Sequence, residues 1–383
     1  MGREHHCSSW QATKWGSLAT LEYGKSLRDY EPEPSAERPY RVFGTNGPIG
    51  WHSAPLYTKP SIVVGRKGAY RGIHFSPDPF FVIDTAFYLK PTTEFDIRWA
   101  YYQLKNFDIN KLDSGSAIPS TSRDAFYEIP VALPPLPIQR RIAGILSAYD
   151  ELIENSQRRI KILESMARAI YREWFVHFRF PGHENHPRVA SSLGEIPEGW
   201  EVKRLGEIAE NFDRMRKPLS KMQRSQLQGE YPYYGAAKVF DYVNDYIFDG
   251  EYLLLAEDGS VITPDRAPVL QLVNERFWPN NHTHVLRGKS PFSTHFLYLG
   301  LSEVDISPYI TGAAQPKITQ ENMNRIPFFC GPEDLHVEFN RLVEPMIRQS
   351  HILQRQIQNL RRTRDLLLPR LLSGQIDVEA ISP

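Results

Sequence analysis

Residues 129–178 read IPVALPPLPIQRRIAGILSAYDELIENSQRRIKILESMARAIYREWFVHF, and residues 326–375 read IPFFCGPEDLHVEFNRLVEPMIRQSHILQRQIQNLRRTRDLLLPRLLSGQ. The first stretch leads in on prolines. It then steps by three or four through Ile142, Ile145, Tyr149, Leu152, Ser156, Ile160, Leu163, Ala167, Ile170 and Trp174. That spacing predicts one apolar seam on a long helix, with two successive four-steps within 149–160 acting as a stutter in a heptad pattern. At ~1.5 Å per residue, about 38 residues span ~57 Å. Adding 197 to each position gives Phe339, Leu342, Met346, Gln349, Leu353, Ile357, Leu360, Arg364, Leu367 and Leu371, again mostly apolar. Pro345 is expected to kink or interrupt this second helix near its start.

The offset of 197 extends upstream without a gap. It pairs Tyr101 with Tyr298, Leu104 with Leu301, Asp108 with Asp305, Gly115 with Gly312, Ala117 with Ala314, Pro119 with Pro316 and Ile129 with Ile326. Further upstream the offset becomes 191, pairing Tyr40 with Tyr231, Gly44 with Gly235 and Gly68 with Gly259. The second copy therefore holds a net insertion of six residues, expected between about 260 and 298. Such a repeat dictates the architecture. Each copy is a small α+β domain followed by a long helix. Short β-type runs such as Ser61–Val64, Phe80–Ile83 and Tyr252–Leu255 are bounded by Gly, Pro, Asn and Asp. The two helices lie far apart in the chain, so each seam needs a mate. An antiparallel pairing within one chain would put the two globular domains at opposite ends of a spacer. A coiled-coil dimer of two chains is the alternative.

The 383 residues carry 45 basic and 45 acidic side chains and 41% hydrophobic residues. Two or three domains with real cores are expected, and the hydrophobic content argues against disorder. Residues 1–134 hold 15 basic and 14 acidic groups, and residues 181–334 hold 15 and 21. This is no DNA-coating polycation, so nucleic-acid binding must rest on local sites or on partners. No apolar run approaches the ~20 residues of a membrane span. The start, MGREHHCSSW, lacks the apolar core of a signal peptide. Two cysteines, Cys7 and Cys330, make no disulfide framework and suggest a reducing cytoplasm.

These stretches resemble the DNA-specificity subunits of type I restriction–modification systems. Residues 129–178 are similar to that family's central conserved region. LGEIPEGWEVKRLGEIA (193–209) resembles the start of its second target recognition domain. TGAAQPKIT (311–319) and LLLPRLLSGQIDV (366–378) resemble the segments that close it. FGTNGPIGWHSAP (43–55) with IVVGRKGAYRG (62–72), and YYGAAKVFDYV (233–243) with WPNNHTHVL (278–286), resemble variants of the recognition-domain core. The resemblance implies recognition domains at 1–134 and 200–331, conserved helices at 135–180 and 332–375, a linker at 181–199 and a tail at 376–383. It implies a subunit without catalysis of its own, reading bipartite double-stranded DNA with one domain per half-site. Two modification subunits would methylate adenine, and restriction subunits would add an ATP-dependent endonuclease. No cofactor would bind this chain directly; S-adenosylmethionine, ATP and magnesium would serve the partners. A protein-binding coiled-coil tether without DNA recognition is the rival reading.

Catalytic signatures are incomplete. No Asn/Asp-Pro-Pro-aromatic methyltransferase loop exists, and Gly24-Lys25-Ser26 has Ala19 where a phosphate loop needs Gly. Glu201-Val-Lys203 is a lone nuclease-like triplet. His282 and His284 would share one face of a strand at metal-ligand spacing, but no Cys or carboxylate partner is obvious, so they read as packed or hydrogen-bonded and no metal is expected. For DNA, candidate contacts are Asn46 in a Gly-flanked turn and Arg66, Lys67, Tyr70 and Arg71 in a glycine-rich loop. The others are Ser120 and Thr121, then Tyr233, Lys238, Gln315 and Lys317 in the second copy. Ordinary turns with solvated charges are the competing reading. Tyr231 and Phe240 are expected in the core. The helix pair and partner interface is expected at Ile142, Ile145, Tyr149, Ile160, Leu163, Ile170, Trp174, Phe339, Leu342, Leu353, Ile357, Leu360, Leu367 and Leu371.

Overall fold

The computed structural model describes residues 10–113, 119–312 and 315–380. Chain contacts divide into two units, one formed by residues 1–156 and 355–383 and the other by residues 157–354. Both long helices form, as Leu136–Tyr171 and Glu333–Leu372, and each contributes one half to each unit.

In the first unit the strand Ser61–Gly65 is buried at every residue, as its unbroken apolar sequence requires of a central strand. It lies between Ala86–Pro91 and Ile73–Ser76, and Ala19–Tyr23 closes the far side. A second sheet sets Tyr40–Gly44 between Gly47–His52 and Phe80–Val82, the latter pair parallel. Trp15 packs near Trp99 and Phe126, with ring centroids 6.4 and 6.1 Å away. Asp96 caps the helix Ile97–Lys105 by accepting from the Trp99 amide at 2.9 Å. Gln11–Lys14 pairs with Pro130–Leu133, which leads into the first long helix.

The second unit repeats this plan. A shift of 190 carries Trp15–Leu18 onto Leu205–Ile208, and 191 carries Ser61–Gly65 onto the last five residues of Phe248–Ala256. A shift of 197 carries Ala86–Pro91 onto Thr283–Gly288 and Arg123–Tyr127 onto Gln320–Asn324. The same shift places Ile73–Ser76 and Phe80–Val82 on the two ends of one strand, Leu270–Pro279. Pro77 and Pro79 lack the amides that would continue the strand in the first unit; Asn274 and Arg276 supply them in the second. One six-stranded sheet therefore replaces two smaller ones. The inserted residues fall at the upstream end of the window expected from the sequence. The loop after the central strand has seven residues in the first unit (66–72) and thirteen in the second (257–269), which accounts for all six.

The helix halves run antiparallel within each unit. In the first, Ile142, Ala143 and Leu146 share a core with Leu371 and Leu372, and Asp150 pairs with Arg364. In the second, Ala167, Tyr171 and Trp174 share a core with Phe339, Val343 and Ile347, and Ser350 donates to Glu164 at 3.2 Å. Of the expected seam, Ile142, Trp174, Phe339, Leu353, Ile357 and Leu371 are buried, while Ile145, Tyr149, Ile160, Leu163, Ile170, Leu342, Leu360 and Leu367 are half-buried. Leu152 departs from it, being 55% exposed, and Ile153 is buried instead. The stutter shifts the inward stripe by one residue there. The second helix is not interrupted at Pro345, which occupies an exposed position where its ring meets solvent rather than packed neighbours.

One buried group in the second unit makes folding stability depend on pH. His336, in the first turns of the second long helix, lies fully buried among Phe292, Phe296 and Phe175, with ring centroids 4.7, 4.7 and 5.1 Å away. Neither ring nitrogen has a hydrogen-bond partner, and desolvation lowers its pKa from 6.5 to about 4. The unfolded chain then binds the proton first, so stability is complete above about pH 6.5 and falls as pH drops toward 4. The loss should reach about 3 kcal/mol. Denaturant melts of the protein and of His336→Leu across pH 4–7 should show this slope in the parent and a shallower one in the variant. A second expectation concerns the seam: Phe339→Ala should cost about 3–5 kcal/mol by the same measurement.

Candidate nucleic-acid interface

The loop Arg66–Gly72 is held by its backbone and by the side chains of Arg66 and Arg71. The amides of Arg66 and Lys67 donate to the Thr85 carbonyl at 2.9 and 3.1 Å, that of Gly68 to Pro119 at 3.0 Å, and that of Gly72 to Thr45 at 3.0 Å. Gly68 adopts φ +121°, and a Cβ on Gly65 would sit 2.6 Å from the Thr45 carbonyl oxygen. Three segments therefore converge: the Thr45-Asn46 turn, the 66–72 loop and residues 119–121. Asn46, Lys67 and Tyr70 project into solvent from this cluster, and Ser120 is half-buried with its amide donating to Asp113 at 3.1 Å. Arg66 is half-buried, its guanidinium 4.8 Å from the Tyr23 ring centroid and donating to the Asp84 carbonyl at 2.9 Å. Arg71 and Thr121 are buried. Arg71 donates to the Asn110 carbonyl at 2.9 Å, and Thr121 donates its hydroxyl to Gly65 at 2.8 Å. Both hold the loop rather than present a side chain. Gly115 and Ala117 of the same loop lie outside the described residues.

In the second unit the same place in the fold carries the opposite charge. Glu257 and Asp258 stand where Arg66 and Lys67 stand, and the isolated bridge between Lys67 and Ser120 recurs between Asp258 and Lys317. Asp213 and His284 replace Tyr23 and Phe87. Glu257 accepts from Arg216 at 2.7 Å and pairs with Lys317 at 3.0 Å. Asp213 accepts from the Val285 amide at 2.9 Å and lies 2.6 Å from His284 Nδ1. The other ring nitrogen, Nε2, faces the Ile318 carbonyl at 2.9 Å. Burial alone would raise both carboxyls. For Asp213, the His284 and Val285 hydrogen bonds reverse this, and for Glu257, Arg216 and Lys317 do, so both lie below the usual range. Asp213, Glu257 and His284 approach one another closely enough to hold a metal. Arg216 and Lys317 already neutralise the acids, however, and both histidine nitrogens are engaged. This donor set is an internal salt-bridge network. The expectation that His282 and His284 lack carboxylate partners is corrected, since His282 Nδ1 lies 2.6 Å from Asp258.

Of the other second-copy candidates, Lys238 and Gln315 are exposed, while Tyr233 is buried with its hydroxyl accepting from the Leu219 amide at 3.0 Å. Ala314 lies outside the described residues. Phe240, expected in the core, is 62% exposed; Tyr231 is half-buried. Phe240, Lys238, Asn280 and His282 line a cleft of about 540 Å³. Sequence reasoning also passed over residues 214–224, RMRKPLSKMQR, which hold five basic residues and no acid within an acidic domain. Arg214, Lys217 and Lys221 of this run are exposed, and Leu219 and Arg224 line the cleft. A local charge count in an 11-residue window would have found it.

The fragmentary catalytic motifs are structural. Gly24 directly follows the strand Ala19–Tyr23, where a Cβ would fall 2.0 Å from the Ile83 carbonyl oxygen, and no helix follows Ser26 directly. Glu201 and Lys203 pair with each other on the strand Glu201–Arg204.

Comparison with known proteins agrees with this geometry. A model of the type I restriction modification DNA specificity domain matches residues 8–165 and again 197–330. The MjaIX specificity subunit of Methanocaldococcus jannaschii is 25% identical over 74% of this chain and 70% of its own length. A type I restriction enzyme specificity subunit of Haemophilus influenzae is 34% identical over 40% of each chain, so the chain spans about two fifths of that relative. The crystal structure of the type I restriction–modification S subunit from M. genitalium, 19% identical, superposes over 97% of both chains with a TM-score of 0.70 and shares the fold.

The charge network makes a measurable demand. Because Asp213 and Glu257 are held low, the stability they add is present above their ordinary values of 3.8 and 4.5 and is lost as pH falls through the lowered ones. Glu257→Gln should cost about 3 kcal/mol at pH 7, since it leaves Arg216 and Lys317 without their shared acid. The variant should also lose less than the parent on further acidification below pH 4.5. Denaturant melts at pH 7 and pH 3.5 would test both.

Proposed function

We propose the following role for this chain, which belongs to the type I restriction modification DNA specificity family: it is the DNA-reading and scaffold subunit of a restriction–modification complex. The observation that carries the reading is duplication with divergence. Both units hold the same three converging loop segments, yet the side chains at equivalent tips differ: Asn46 against Ala237, Lys67 against Asp258, Ser120 against Lys317. Equal scaffolds with unequal donors and acceptors suit two unequal half-sites. Asn46, Arg66, Lys67, Tyr70, Ser120, Lys238, Gln315 and Lys317 make the contacts. Arg71, Thr121 and Tyr233 set the loops from within.

The recognition domains occupy 1–134 and 200–331, and the paired helices set the gap between half-sites. Leu152, Ile162, Met166, Ile352 and Leu366 are exposed apolar residues on those helices and suit contacts with partner proteins. Two modification subunits and the restriction subunits bring the chemistry, with S-adenosylmethionine, ATP and magnesium as their cofactors. The complex works on double-stranded DNA in a prokaryotic cytoplasm; among the described residues no helix is long and apolar enough to cross a membrane.

Replacing residues 200–330 by the same region of a relative with another specificity tests the reading. Genome-wide methylation mapping should show one half of the motif changed, with the other half and the gap kept. A swap that alters both halves, or leaves the methylated sequence untouched, overturns it; the second result favours a protein-binding tether. The near-neutral and acidic domains neutralise phosphates poorly. Across a salt series, the lone chain should therefore bind its target weakly and gain specific affinity with the modification subunits.

A further inference from the structure

Each unit bends its edge strand with a β-bulge, and in both the residue left without a cross-strand partner is a bulky apolar one. In the first unit Val42 pairs with Gly50 and Phe43 with Pro48, which skips Ile49. In the second, Tyr233 pairs with Asp241 and Tyr234 with Val239, which skips Phe240. The offset of 191 that relates these strands puts Ile49 and Phe240 at the same position. Both face solvent, Ile49 at 38% and Phe240 at 62% exposure. Bulges at sheet edges re-aim side chains, and they occur beside functional sites. An apolar side chain gains nothing for folding by staying in water. Its placement by the same irregularity in both copies needs another cause.

Phe240 is also held rigidly. The Arg224 guanidinium lies 5.0 Å from its ring centroid and 5.2 Å from that of buried Tyr233. Arg224 is itself buried and fixed by Asp241 at 2.9 Å and the Leu219 carbonyl at 2.6 Å. The exposed ring is thus one end of a stack rooted in the core. It lines the cleft beside exposed Lys238, and exposed Lys221 sits three residues before Arg224. Cations around an apolar prong match a polyanion that offers an apolar interior, which is the chemistry of a base stack between phosphates.

We propose that Phe240 enters the base stack of the half-site read by the second unit as an apolar wedge, with Ile49 its smaller counterpart in the first. Phenylalanine and isoleucine are side chains that open a base step, and an aromatic ring restores part of the stacking lost there. The proposal rests on the DNA-reading role above. It adds a specificity mechanism in which the sequence of the opened step is read by the ease of unstacking it.

The test uses the chain assembled with its modification subunits and duplexes carrying the mapped target, with 2-aminopurine at successive positions of each half-site. Binding should brighten one position of the second half-site several-fold. Phe240→Ala should abolish that signal and weaken binding ~10-fold, Phe240→Leu should keep part of both, and Ile49→Ala should act only in the first half-site. Because Phe240 is exposed, thermal melting of Phe240→Ala should match the parent, and a folding defect would count against a surface prong. Specific binding with no brightened position, or a signal that survives in Phe240→Ala, overturns the wedge alone. Loss of a modification subunit from the Phe240→Ala complex would make the residue a protein contact and also overturn it. A parent complex that binds its target no better than an unrelated duplex would remove the DNA-reading role and the wedge together.

Discussion

Each globular core is completed by side chains from both long helices. In the first unit Ile142 and Leu146 meet Leu371 and Leu372; in the second Trp174 meets Phe339 with ring centroids 6.0 Å apart. In each unit, residues of both helix halves belong to the same buried cluster as the sheet. The first unit therefore depends on residues 355–383, which follow it in the chain only after the whole second unit. Everything on the loop side of the sheets is positioned from this packed base. Ser61–Gly65 and its counterpart in Phe248–Ala256 are buried along their length and so deliver the 66–72 and 257–269 loops to fixed places.

The two loop clusters solve one electrostatic problem in opposite ways. The first holds a cation, Arg66, over Tyr23 and against a backbone carbonyl. The second holds an anion, Glu257, between Arg216 and Lys317. A buried or half-buried charge requires a partner; the backbone frame stays constant while the partners change sign around it. That separation of frame from surface chemistry lets one fold present different donors and acceptors without losing its loop geometry.

The architecture was largely legible from the chain. The offset of 197 from Tyr101 to Leu163 announces a duplicated domain and helix, and the paired structural elements follow it. Seam residues such as Ile142, Trp174, Phe339 and Leu353 were readable because burial of one helix face imposes a period. Leu152 was not, because a stutter moves the stripe by one position. Pro345 misled because a proline on the solvent side of a long helix costs less than one in its packed face. The charge exchange at 257–258 was visible in the alignment of the two copies, but the partners of Asp213 and His284 come from segments about 70 residues apart. Arg71 looked like a DNA contact because composition cannot tell an anchored arginine from a free one. Phe240 looked like core because hydrophobicity says nothing of a bulge that turns one residue outward.

The late return of the chain to its first unit carries a consequence for synthesis. On the ribosome, the sheet and first helix of that unit emerge before about 200 residues that belong elsewhere. At roughly 5–20 residues per second the delay is about 10–40 s. During that interval Ile142 and Leu146 wait without Leu371 and Leu372, so the unit begun first is completed last. A nascent chain of this design carries an unfinished apolar surface for as long as the whole second unit is being made.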